Sequence, residues 1–132
     1  NTFEMQMQYD SSIVYFDKAI DVDGGELVSM SRLANAYFMN HQTYLAIEKN
    51  KEIILAYPNS DMPYINLGNY AFKAKDTINA LMYFKKAIEV GTNPGVGKFI
   101  SGYYYSKGDI QSANYYQQKS YEAEKLEKNK RK

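Results

Sequence analysis

Few residues in this chain stand at spacings that could do chemistry. The run Gly91-Thr92-Asn93-Pro94-Gly95-Val96-Gly97-Lys98 combines glycines and a lysine in the manner of a phosphate-cradling loop. It departs from one in three ways: the glycines are one residue too far apart, Phe99 stands where a magnesium-binding hydroxyl belongs, and an amphipathic helix rather than a strand precedes it. It reads instead as a turn, with Gly91 letting one helix end and Pro94 helping the next to begin. His41 is the only histidine and has no carboxylate cluster beside it, so neither a general base nor a metal ligand is expected there. With no cysteine and no serine, histidine and aspartate on a strand-turn-helix frame, the expectation is no catalysis, no metal and no cofactor.

Composition narrows the remaining classes. At 132 residues the chain suits one domain or a short repeat array with a core of its own. Sixteen basic against 15 acidic side chains give a formal charge of +1, so no broad attraction to nucleic acid is expected. No apolar run reaches the roughly 18 residues of a membrane span. The chain opens on Asn1 rather than methionine, which suggests a processed or excised piece. Fourteen tyrosines without a tryptophan point to aromatic packing between helices, hydroxyls at the rim.

The elements that must position any site are helices throughout, since every long segment has helical rather than alternating periodicity. Asp10 to Asp21 carries Ile13, Phe16, Ala19 and Ile20 on one face and stops at Gly24-Gly25. Further helices are expected over Leu27 to about Asn40, Thr43 to Tyr57 before Pro58, Met62 to Ala74, Thr77 to Val90 with Asp76 as its cap, Lys98 to Ser106, and Ile110 to about Lys128. Phe3, Met5 and Met7 look like the tail of an earlier helix.

These helices repeat. A shift of 34 residues lays Leu33-Ala34 under Leu67-Gly68, Ala46 under Ala80 and Ile53 under Ala87. A shift of 33 the other way brings Ile100-Ser101, Tyr104, Ala113 and Ser120 to the same places, and Ser12, Phe16 and Ala19 match Ala80, Phe84 and Ala87. The chain therefore divides into a partial repeat at 1–26, repeats at 27–60 and 61–93, and a repeat with a C-terminal helix extension at 94–132. Small residues recur where paired helices must touch, and bulk at Gly68 or Ala80 would force a hairpin apart while Tyr64, Leu67 and Phe84 fill the space beside it.

Tyr64, Leu67, Gly68 and Ala71 followed by Ala80, Phe84 and Ala87 resemble the tetratricopeptide repeat family, and Met30, Leu33, Ala34, Tyr37, Ala46 and Pro58 repeat much of the pattern. The second copy departs at Asn50 and Ile53, and the fourth is weakest, with Gly97, Gln117 and Ser120 at pattern places. The resemblance implies an all-α fold, a right-handed superhelix (solenoid) of antiparallel helix pairs with about 3.5 repeats. It also implies a protein-protein interaction scaffold whose concave groove, lined by the first helix of each pair, binds a peptide or protein partner.

Matched position by position, that groove would be lined by Val28, Ser31, Asn35, Phe38 and Met39 from the second copy. Met62, Ile65, Asn69, Phe72 and Lys73 would follow from the third, and Lys98, Gly102 and Tyr105 from the fourth. An asparagine such as Asn35 or Asn69 both donates and accepts, which suits the backbone of an extended peptide. Some family members clamp the acidic C-terminal tails of heat-shock chaperones. Here only Asn35 and Asn66 match that clamp, and Ser31, Gly95 and Phe99 occupy its basic places, so a mixed apolar and polar segment is expected instead. Two rivals remain: a structural module that self-associates, and a sensor or docking part of a larger signalling or transcriptional regulator.

Overall fold

A computed structural model describes residues 27–91 and 93–130, and the helix expected over Asp10 to Asp21, the partial repeat at 1–26 and the anchors Phe3, Met5 and Met7 lie outside them. Among the described residues every regular element is helical: α1 (Leu27–Met39), α2 (Thr43–Ala56), α3 (Met62–Lys73), α4 (Thr77–Val90), α5 (Pro94–Ser106) and α6 (Ile110–Lys130). They fall into two compact units that divide between Pro58 and Asn59. The first holds the α1–α2 hairpin; the second holds the hairpins α3–α4 and α5–α6, with α4 packed on α5.

Each hairpin closes in the same way, and its turn shows the repeat in the backbone. His41 and Lys75 have φ of 63° and Gly108 has φ of 79°, all left-handed and all at one repeat position. The following amide reaches back to the helix: Gln42 N–H to Tyr37 O at 2.8 Å, Asp76 N–H to Ala71 O at 2.9 Å and Asp109 N–H to Tyr104 O at 3.0 Å. The left-handed residue itself donates to Phe38, Phe72 or Tyr105. This double bond pattern satisfies carbonyls that a helix end otherwise leaves open. The next residue then starts the second helix. Asp76 accepts from the Asn79 amide at 3.3 Å and Asp109 from the Ser112 amide at 3.1 Å, whereas Gln42 makes no such bond.

In the first unit the two helices pack on one another, α1 burying Leu33 and Ala34 and α2 burying Ala46 and Ile53. Asn50, at the place Phe84 takes in the next hairpin, is fully buried and donates to the Ala46 carbonyl at 3.0 Å. In the second unit Ala80, Leu81, Phe84 and Ala87 of α4 form one core with Val96 and Ile100 of α5, flanked by Tyr64, Ile65, Tyr103, Tyr104 and Tyr116. A Cβ on Gly68 would stand 2.6 Å from Phe84 Cε1, so the ring occupies the notch that the glycine leaves.

Two expectations are corrected. The helix expected from Lys98 starts at Pro94 instead, because Asn93 caps it by accepting from the Gly95 amide at 2.9 Å and Pro94 supplies a first-turn residue that needs no donor. Gly97 of this helix is used in packing: a Cβ there would stand 3.0 Å from the Tyr116 carbonyl and from Ser120 Cβ. Ser101 Oγ donates to the Ala113 carbonyl at 2.7 Å and Ser120 Oγ to the Pro94 carbonyl at 2.8 Å, which ties α5 to α6 across this close approach. Gly91 ends α4 in extended backbone that any residue can adopt; what requires glycine there is the Asp61 side chain, on which a Cβ would collide.

Gly68→Leu is expected to lower stability by about 1–3 kcal/mol through overpacking. Gly102→Ala, where a Cβ meets nothing within 4 Å, should raise it by about 0.5–1 kcal/mol. Paired urea melts that shift both variants in the same direction would contradict this register.

Candidate functional site

In the second unit α3 and α5 meet through aromatic side chains. Phe99 lies 4.9 Å from Phe84, tilted by 60°, and 5.1 Å from Phe72, edge-on at 87°. Both are favourable ring geometries. The three rings make a path from the core outward: Phe84 is buried, Phe99 is 37% exposed and Phe72 is 49% exposed. Phe72 follows Ile65 and Asn69 at helical spacing, so the three share one face of α3, and Lys98, Gly102 and Tyr105 share one face of α5 in the same way. Asn69, Lys73, Lys98 and Tyr105 are exposed, Met62 and Ile65 half-buried. Beside Gly102 there is open space.

The first unit presents Val28, Asn35 and Met39 on the exposed surface of α1, with Phe38 half-buried. Ser31 is buried, only 5% exposed, and so leaves the surface where it was expected. Phe38, Phe72 and Tyr105 hold one repeat position, so each hairpin carries an aromatic ring at the same place on its first helix. Phe99 is the site residue that sequence reasoning passed over. In the sequence it marks only absences, of a hydroxyl in the glycine-rich run and of a cation in the clamp, and its partners Phe72 and Phe84 sit on two other helices, so no local spacing announces it.

Lys98 makes an exposed ion pair with Glu124 on α6 at 2.7 Å. The hydrogen bond from Lys98, helped by its charge, holds the Glu124 carboxyl below its ordinary value. A polar concavity of about 700 Å³ opens nearby, between the loops that precede α3 and α5 and the last turns of α6; Ser60, Asp61, Asn93, Glu124 and Lys128 are among its walls. No group of three or more potential metal-binding side chains occurs among the described residues, and no helix there is long and apolar enough to cross a membrane.

Away from this face, Lys85 of α4 donates to Tyr104 Oη at 2.6 Å, and its ammonium lies 5.0 Å from the Tyr104 ring and 5.7 Å from that of Tyr116. Tyr104 and Tyr116 stack at 5.8 Å, the interhelical packing that tyrosine abundance suggests. The bond to Tyr104 raises Lys85 above its ordinary 10.5, burial opposing, and burial raises Tyr116 above its ordinary 10.0.

No family model matches the sequence, and no curated protein does either. Solved structures do match: 15 chains share the fold. Among them is the crystal structure of MamA, at 20% identity, with 92% of this chain and 71% of that one covered and a TM-score of 0.68. Together with the repeated turns and seams, this likeness makes the fold an all-α, TPR-like helical repeat.

Both Lys85 and Tyr116 hold their protons more tightly when folded, so their contribution is complete below their unfolded values and declines as pH rises through the folded ones. Stability should therefore stay level through neutral pH and fall above about pH 10. Tyr104→Phe should lower the Lys85 titration midpoint, as followed by NMR of its side-chain signals.

Proposed function

We propose that this chain is a non-catalytic protein-interaction scaffold that holds a peptide segment of its partner against the first helices of its hairpins. The observation that carries the reading is the aromatic path Phe84–Phe99–Phe72, which brings a core-anchored pair of rings to the surface between α3 and α5. Rings held from beneath lose little freedom on binding, which lowers the cost of capturing a flexible segment. In the second unit the proposed surface comprises Met62, Ile65, Asn69, Phe72 and Lys73 on α3 with Lys98 and Tyr105 on α5; the first unit, taken by itself, offers Val28, Asn35, Phe38 and Met39 on α1 as a contact surface of its own. Asn69 supplies a donor and an acceptor for the peptide backbone beside the rings.

A second reading, self-association, draws on Ile78, 82% exposed, and Met82, which stand one helical turn apart on α4. Sedimentation across a wide concentration range tests it, and monomers throughout would dismiss it.

Replacing Asn35, Asn69 and Phe72 together with alanine should abolish binding of peptides selected from a displayed library against the wild-type chain, with unchanged helical circular dichroism. Full retention of binding by the triple variant would overturn the assignment.

A further inference from the structure

The junction between the two hairpins of the second unit is gripped at two places by consecutive residues of α4. Phe84 packs on Phe99 of α5 at 4.9 Å. Lys85, next to it, donates to Tyr104 Oη at 2.6 Å and sets its ammonium 5.0 Å from the Tyr104 ring. Phe99 and Tyr104 stand five residues apart on α5, about 7.5 Å along its axis. One contact between two helices leaves a pivot; two at different heights fix the angle. Tyr104 is in turn stacked on Tyr116 of α6 at 5.8 Å, and the same ammonium lies 5.7 Å from that ring. The hold on Tyr104 therefore reaches both helices of the last hairpin.

This grip is particular to the α4–α5 junction. One repeat earlier, Lys51 takes the place of Lys85 but pairs with Glu48 of its own helix at 3.5 Å, and Ala71, at the place of Tyr104, has no hydroxyl to offer. Lys85 is half-buried, so salt screens it less than a surface pair, and its charge strengthens both the hydrogen bond and the ring contacts.

Resting on the peptide-scaffold reading, we propose that Lys85 is a positioning residue for the partner face, a cationic strut that sets the angle between the hairpins α3–α4 and α5–α6. Phe72 belongs to the first of these hairpins and Phe99 to the second, so their edge-on contact at 5.1 Å spans the hinge that the strut holds. Without the ammonium the hairpins turn about the Phe84–Phe99 contact, and the two surface rings part. Lys85 stands away from the face and acts on it through Tyr104 and the packing of α5.

The test uses the full chain and a fluorescein-labelled peptide selected from a displayed library against the wild-type chain. Fluorescence anisotropy reads its affinity, and nuclear Overhauser effects between the Phe72 and Phe99 rings read their contact. Lys85→Met keeps the length of the side chain and removes the charge; it should weaken binding about fivefold and diminish the ring-to-ring effects. Lys85→Arg, which keeps the charge and the donor, should bind within about twofold of the wild type. Lys86→Met removes a charge from the neighbouring position, where the ammonium is exposed and paired with Glu89, and should change neither readout. Wild-type affinity in Lys85→Met overturns the proposal, and so does a loss of affinity with the ring-to-ring effects intact. Where Lys85→Met lowers the helical circular dichroism, Tyr104→Phe, which removes the hydroxyl acceptor and keeps the ring, decides by the same two readouts, with about threefold weaker binding expected. If Lys85→Met binds as the wild type does while Phe72→Ala fails to bind, the strut falls and the peptide-scaffold reading stands. If Phe72→Ala also binds as the wild type does, both fall.

Discussion

The missing Cβ at Gly68 is the constraint through which the second unit works. It leaves a notch on α3 into which the Phe84 ring fits, and any side chain there would collide with that ring. With Phe84 fixed, Phe99 of the next hairpin packs on it at a tilt, and Phe72 meets Phe99 edge-on. A packing requirement inside one hairpin thereby sets the position of surface rings shared by two. Interiors close-packed in this way transmit small displacements, so the core and the surface cannot be varied independently here.

The last hairpin solves the same problem with different residues. Gly97 takes the place of Tyr64, and the two helices close up until Gly97 faces the backbone of α6. Apolar filling is replaced by two serine hydroxyls that donate across the seam, to the carbonyls of Ala113 and Pro94. Each such bond is worth about 1 kcal/mol net, comparable to a buried methylene or two. A repeat that looks degenerate against a consensus is therefore well satisfied in three dimensions.

Much of this was legible in the sequence, for a physical reason. Helix pairs that touch need small residues at fixed spacing, so the register of Ala34, Gly68 and Ser101 could be read directly, as could Ala46, Ala80 and Ala113. Of the turns, the Asp76 cap was legible as an aspartate just before a periodic run, whereas the left-handed His41 and Lys75 were not, since neither residue type marks that conformation. The start of α5 was obscured because glycine lowers helix propensity, and the Asn93–Pro94 start that outweighs it is a matter of capping geometry. Burial of Ser31 could not be inferred, because a serine reads equally well on either side of a helix. The packing role of Phe99 was not legible because its neighbours come from α3 and α4, and contacts between helices far apart in the chain leave no local pattern.

Chemical-shift mapping offers the most direct measurement, with a peptide selected from a displayed library against the wild-type chain titrated into isotopically labelled protein. Perturbations concentrated at Phe72, Phe99, Asn69 and Tyr105, with the exposed Ile78 and Met82 of α4 undisturbed, are expected if the face between α3 and α5 is the partner site. Perturbations centred on Ile78 and Met82 with Phe72 and Phe99 unmoved would contradict it.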